Sequence, residues 1–262
     1  MRAPHSPLAN VAMTWATAHR RRLRDVWRSA GWPCHDSLEL DLLTAGLLLR
    51  QWDDAGRETL RVSDAGLQVL AAARRKAQAA LHAHEALVAQ VASQMHRAGR
   101  VVWRGLALRA ALPADEGCTP GATRWVLARP DVYSIRHTSA EDQTQPVAHE
   151  IKVSRSDLLA DLRSPAKGAA YRALASQCWY VLRAGIADPA EVPTEFGVML
   201  ADDTGLHVAR PAPHRPLRLP FAVWMALARS TPDAADSDEV DSGTSFTQRS
   251  LQLSLGAVDK EP

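Results

Sequence analysis

Long hydrophobic runs are missing from this 262-residue sequence. No stretch approaches the roughly 18 consecutive apolar residues that suggest a membrane span, and the N-terminus has no apolar core of the export-signal kind. Neither a transmembrane segment nor a membrane partner is therefore expected. Cysteine is scarce as well: Cys34, Cys118 and Cys178 are odd in number, widely separated and without Cys-x-x-Cys spacing. Such a set gives neither a disulfide framework nor a zinc knuckle, and it fits a reducing compartment, so a cytoplasmic location is expected. A strong charge of either sign is also lacking. The formal net charge is +2, with 46% hydrophobic and 23% charged residues, the composition of an ordinary soluble globular protein.

The charge that is present is unevenly spread. Residues 231–262 contain seven acidic and two basic residues, so this tail carries −5 and the remainder +7. The first thirty residues hold six arginines against one aspartate. A moderately basic body suits a polyanionic partner, although the signal is mild. The tail is rich in Asp, Ser and Thr and poor in large apolar residues; it cannot offset its ordering entropy and is expected to be disordered.

In the N-terminal third, residues 9–29 show helical periodicity, with Val11, Trp15, Leu23, Val26 and Trp27 apolar and Arg20, Arg21, Arg22 and Arg24 among the basic positions. Gly31, Trp32 and Pro33 stop this helix. Asp36 or Ser37 is placed to cap a second, short helix through about Ala45, with Glu39 in its first turns. Two short strand-like runs, Leu47–Trp52 and Arg57–Val62, flank an Asp-Asp-Ala-Gly turn and predict a hairpin. Ser63 or Asp64 then caps another helix. From Ala71 to about Ala98 the chain is again helical, with an apolar stripe of Leu81, Leu87, Val88, Val91 and Met95. The order helix, helix, hairpin, helix over roughly residues 9–78 resembles a winged-helix unit. In DNA-binding members of that family the second helix enters the major groove. Here that helix carries Asp36, Glu39 and Asp41, which would face phosphates badly. The unit is left between DNA contact and a docking or homodimer-forming role, with Arg20, Arg21 and Arg22 of the first helix as the phosphate-facing surface.

Further along, Arg100–Leu108 reads as a strand, Pro113–Gly121 as a loop, and Trp125–Leu127 leads into Arg129-Pro130-Asp131. A strand follows at Pro146–Val153, a helix at Ser154–Ser176, a buried strand at Cys178–Leu182, and a closing hairpin around Asp202-Asp203-Thr204-Gly205. Proline-rich residues 211–220 cross over to a short helix at Leu219–Ser230. Because strand side chains alternate faces, Glu150 and Lys152 share one face while Ile151 points into a core. If the strand ending near Ile135 pairs with this one, Asp131 joins them. Two carboxylates and an ammonium at one spot are costly to assemble without a bound cation, which raises the expectation of a metal site.

This order of elements, with Pro-Asp on one strand and Glu-x-Lys on the next, resembles the PD-(D/E)XK nuclease superfamily. Within it, the run Glu150-Ile151-Lys152-Val153-Ser154-Arg155-Ser156-Asp157 and the later Tyr171-Arg172 and Phe196–Asp202 segments are similar to MmcB-type DNA-repair proteins, over about residues 84–211. The resemblance implies a restriction-endonuclease-like mixed α/β sheet flanked by helices, preceded by an α-rich winged-helix domain. The implied domains are residues 1–78, 79–230 and the tail 231–262. It further implies Mg²⁺ or Mn²⁺ held by Asp131, Glu150 and the carbonyl of Ile151, with Lys152 orienting the attacking water and Glu85 completing the site from the preceding helix. Arg155 and Lys167 are expected to hold phosphates. Asp157 and Asp161 are read as capping and surface acids, Tyr171 as helix-to-sheet packing, and Trp103, Trp125 and Trp179 as core. The function implied is metal-dependent hydrolysis of DNA phosphodiester bonds, in repair or in defence against foreign DNA. The alternatives are a non-catalytic DNA-binding or repair-accessory protein and a winged-helix transcription regulator.

Overall fold

The structure is a computed structural model that describes residues 15–113 and 123–234. Cys118, nearly all of the expected 113–121 loop, the start of the expected first helix and residues 235–262 of the expected disordered tail lie outside the described residues. The chain divides into two compact units, residues 1–85 and 86–262. Among the described residues no helix is long and apolar enough to cross a membrane.

The first unit opens with helix α1 (Thr17–Arg28) and helix α2 (Ser37–Thr44). Asp36 caps α2, its side chain accepting from the Glu39 N–H. Strands β1 (Leu48–Trp52) and β2 (Glu58–Val62) form the expected antiparallel hairpin, running from Leu48 opposite Val62 to Trp52 opposite Glu58. Its turn is fixed by Asp53, whose carboxylate accepts from the Ala55 and Arg57 N–H groups, and by Gly56 at φ 73°. Helix α3 (Asp64–Arg97) follows as one continuous helix of 34 residues. The core of this unit is built from Leu23, Val26, Leu42, Leu47, Leu48, Leu60 and Val62.

The second unit contains β3 (Arg100–Arg104), β4 (Leu108–Pro113), β5 (Thr123–Ala128), β6 (Val132–Arg136), β7 (Val147–Lys152), α4 (Arg155–Leu162), α5 (Pro165–Leu174), β8 (Gln177–Arg183), β9 (Gly197–Asp202), β10 (Gly205–Arg210) and α6 (Phe221–Arg229). Six strands form one mixed sheet in the order β10-β9-β8-β7-β6-β3. β7, β8 and β9 run parallel to one another, and the remaining pairs are antiparallel. One sheet face carries Trp103, Tyr133, Ala148, Tyr180, Leu182 and Val198 in a core with residues of α4, α5 and α6. The other carries Val102, Val132, Ile151, Val181 and Met199, packed on Leu87, Val88, Val91 and Ala92, which lie in the stretch of α3 after residue 85 that belongs to this second unit.

Two expected elements are interrupted. The strand read through residues 100–108 stops at Arg104, because Gly105 turns the chain at φ 58° and donates its N–H to the Asp131 carbonyl. Leu108 then starts a separate two-stranded sheet, β4 with β5. The helix read through residues 154–176 is two helices, broken at Ser164-Pro165. Proline disfavours the helical conformation in the residue before it and suits the first position of a new helix.

Candidate active site

Strand β7 is buried at all six of its positions, so every side chain on it needs a partner inside the protein. Its alternation sends Ala148, Glu150 and Lys152 toward the face covered by α4 and α5, and Ile151 toward the α3 face. Glu150 is 4% exposed and Lys152 9%. Charges that deep persist only when paired and hydrogen-bonded.

The pairing is dense. Glu150 Oε1 lies 2.5 Å from Lys152 Nζ and 2.5 Å from Lys167 Nζ, and Glu150 Oε2 accepts from the Tyr171 hydroxyl at 2.6 Å. Lys167 also reaches Asp161 Oδ1 at 2.5 Å, and the second oxygen of Asp161 accepts from the Tyr180 hydroxyl at 2.8 Å. Lys152 Nζ stands 3.8 Å from Asp161 Oδ1. Burial works against the Lys167 charge, yet Glu150 and Asp161 outweigh it and hold the ammonium above the ordinary lysine range. The Tyr171 phenol is pushed far above its usual range, first by burial and then by the charges of Glu150, Asp131 and Asp161. All three carboxylates therefore act on one hydroxyl.

Asp131 sits just before β6. The β6–β7 ladder ends at Val132 opposite His149, and beyond it the Ile151 N–H bonds to Asp131 Oδ2 at 2.7 Å instead of to backbone. In a strand the N–H and C=O of one residue point to the same edge. The Ile151 carbonyl is thus aimed at the gap where Asp131 stands.

The expected Asp131, Glu150 and Lys152 are accordingly brought to one end of β7. Lys167 joins them as an ion-pair partner of Glu150 and Asp161, 31% exposed, rather than as a freely projecting phosphate contact. Asp161, read as a surface acid, is 8% exposed and belongs to the cluster. Asp157 keeps its capping role, with its N–H and carboxylate both on Ser154 Oγ. Arg155 is engaged by Glu191 through two hydrogen bonds of 2.9 and 2.8 Å. That guanidinium and the Asp188 N–H hold the Glu191 carboxyl down at about 2. Glu85 is 65% exposed and pairs with the adjacent His84. On α1, Arg20 bonds to Thr17, Arg21 is exposed, and Arg22 is held by Asp36 and Glu39. Trp103 is buried as expected, but Trp125 is 58% exposed, because β4–β5 is a separate hairpin with one open face.

Tyr180 and the cluster roles of Asp161 and Tyr171 escaped the sequence reasoning. One signal was present: Lys167 and Tyr171 stand four residues apart and so share a helix face, with the ammonium 5.4 Å from the ring centre. Among the described residues no group of three or more His, Cys, Asp or Glu side chains is gathered as a metal cage. Hard oxygen donors are nevertheless present in Asp131, Glu150 and the Ile151 carbonyl, and Mg²⁺ commonly takes only one or two carboxylates together with waters and substrate phosphates. Two ammonium groups converging on Glu150 Oε1 mark that oxygen as a place where positive charge is stabilised. The donor set fits a small divalent cation.

No family model matches the sequence, and no curated protein matches it. Among solved structures, a protein of unknown function from Silicibacter pomeroyi is similar at 24% identity, covering 53% of this chain and 77% of that one, with a TM-score of 0.36.

Proposed function

We propose that the second unit is a metal-dependent nuclease of PD-(D/E)XK type that hydrolyses DNA phosphodiester bonds, in repair or in defence against foreign DNA. The observation that carries this reading is the convergence at the end of β7: Glu150 and Lys152 share a face, and Asp131 is fastened to the same strand through the Ile151 N–H. Asp131, Glu150 and the Ile151 carbonyl would hold Mg²⁺ or Mn²⁺. The ion supplies, when bound, polarisation of a phosphoryl oxygen and a water of lowered pKa. Lys152 orients that water and stabilises the charge that builds on the phosphorus centre. Tyr171 holds Glu150 in place through its second oxygen. The first unit serves as a winged-helix domain for DNA contact or docking, with a second copy of the chain as its partner in the docking case. Glu85, exposed and paired with its neighbour, takes no part in this reading.

The test is cleavage of a panel of single-stranded, duplex and branched DNA in Mg²⁺ and Mn²⁺. Activity present in the wild type and lost in Lys152→Ala, with the circular-dichroism spectrum retained, supports the proposal. Equal cleavage by the variant would locate the activity elsewhere. A second reading is favoured by the burial of Glu150 and Lys152 at 4% and 9% exposure. On it, the cluster only stiffens the sheet of a non-catalytic DNA-binding or repair-accessory protein, and the chain binds DNA with a steep salt dependence and cleaves nothing in either metal.

A further inference from the structure

Two lysines compete for one carboxylate oxygen, and they are not equivalent. Lys152 and Lys167 each place Nζ 2.5 Å from Glu150 Oε1. Lys152 belongs to the fully buried strand β7, and its side chain is 10% exposed. Lys167 is the third residue of α5, directly after the break at Ser164-Pro165, and its side chain is 31% exposed. Lys167 is also the cation that bridges two carboxylates, 2.5 Å from Asp161 Oδ1 as well as from Glu150 Oε1, whereas Lys152 stands 3.8 Å from Asp161. The network is therefore neutralised mainly through a long side chain that already reaches solvent and is rooted in a short helix. A divalent cation arriving at Glu150 cannot share its oxygen with two ammonium groups, because like charges gathered on one acceptor repel. The group with a route outward is Lys167.

We infer that Lys167 is a built-in placeholder for the divalent cation: its ammonium neutralises Glu150 and Asp161 in the metal-free protein and swings out when a cation binds Glu150. This rests on the reading of the site as metal-dependent. It assigns the two lysines opposite relations to the ion, Lys152 staying beside the reacting groups and Lys167 competing for their carboxylate. It also keeps these deeply buried carboxylates paired, since an unpaired carboxylate there would be costly.

The experiment measures Mn²⁺ binding to the full chain by the electron paramagnetic resonance of free Mn²⁺. It compares the wild type with Lys167→Met, which keeps the stem and removes the charge, and with Lys167→Arg, which keeps the charge. Lys167→Met should bind Mn²⁺ at least about tenfold more tightly, the effect of removing a competing charge next to the ligand, while Lys167→Arg should not. An independent arm needs no variant: acetylation of Lys167 in the native wild type, read by mass spectrometry, should speed up when Mn²⁺ is added. Measurable but unchanged or weaker Mn²⁺ binding in Lys167→Met overturns the placeholder while leaving the metal reading intact. So does Lys167 acetylation that stays constant or slows on adding Mn²⁺ to a protein that binds it. No Mn²⁺ binding by any folded version overturns both.

Discussion

Tyr171 donates its hydroxyl proton to Glu150 Oε2 at 2.6 Å, on the side of the carboxylate away from the oxygen that receives Lys152 and Lys167. Helix α5 thus provides Glu150 with two partners from one face, Lys167 and Tyr171, and strand β7 provides the third. The phenol does for a buried anion what a water molecule does for an exposed one, without adding charge.

Replacing Tyr171 by Phe removes that donor and leaves the ring. Hydrogen bonds to charged groups contribute roughly 1.5–3 kcal/mol, so the expected loss of stability is about 2 kcal/mol. In urea unfolding it should appear as a lower midpoint at unchanged slope. An unchanged midpoint would mean that Glu150 Oε2 does not depend on this hydroxyl.

The strand half of the site was legible in the sequence because period-2 alternation fixes which residues share a face: Glu150 and Lys152 together, Ile151 opposite. The helix half was not. Lys167 and Tyr171 lie 17 and 21 residues from Glu150 along the chain, and their meeting with it depends on where the intervening helix breaks. Pro165 announced that break, yet residues 154–176 read as one helix. Asp161 looked like an ordinary surface acid one helical turn after Asp157. Only the turn at Ser164-Pro165, which brings Lys167 back onto Asp161, separates their roles. In the first unit the hairpin was fully readable from its Asp-Asp-Ala-Gly turn, whereas the burial of an acid in α2 was invisible to spacing.

That acid is Glu39, 3% exposed. Its carboxylate accepts from the Cys34 N–H at 2.9 and 2.8 Å and from the His35 N–H at 2.8 Å, and lies 3.3 Å from Arg22 Nε. It holds the loop before α2 in a conformation that puts His35 at φ 55°, a region costly for a residue with a side chain. Arg22 keeps Asp36 when Glu39 is removed, but the Cys34 and His35 N–H groups lose their acceptor at roughly 1–3 kcal/mol each, so Glu39→Ala should lower the stability of the first unit by about 3 kcal/mol. Glu39→Gln, which keeps an acceptor, should cost less. Thermal melts of both variants check the order; equal, small effects would show that the loop holds without Glu39.

His149 offers a pH test on the central strand. It is 1% exposed, and the Val132 backbone is a weak partner that offsets little of the cost of burying the ring. Burial, with Arg100 adding like-charge repulsion, pushes its pKa down from 6.5 to about 3. The unfolded chain takes up a proton near 6.5 and the folded chain does not, so this contribution to stability is full above pH 6.5 and is lost as the pH falls toward 3. The slope attributable to this group is about 1.4 kcal/mol per pH unit. Unfolding free energies measured across that window should decline in the wild type and decline less in His149→Leu. Parallel pH profiles for the two proteins would contradict the assignment.

The three neighbouring arginines of α1 should separate cleanly if the first unit touches DNA. Arg22 is engaged inside the unit, 2.5 Å from Asp36 and 3.3 Å from Glu39, whereas Arg21 is exposed and Arg20 makes only a 3.3 Å contact with Thr17. A phosphate contact contributes about 0.9 to the slope of log affinity against log salt. Alanine at both Arg20 and Arg21 should therefore flatten that slope by about 2 units and, as an ordinary surface change, move stability by no more than about 0.5 kcal/mol. Arg22→Ala should do the reverse: leave the salt slope where it was and destabilise the unit, because Glu39 would then be buried without its cation. A flattened slope with undiminished stability in Arg22→Ala would place that guanidinium on the DNA instead of in the fold, and the ion pair with Glu39 would have to be one that DNA displaces.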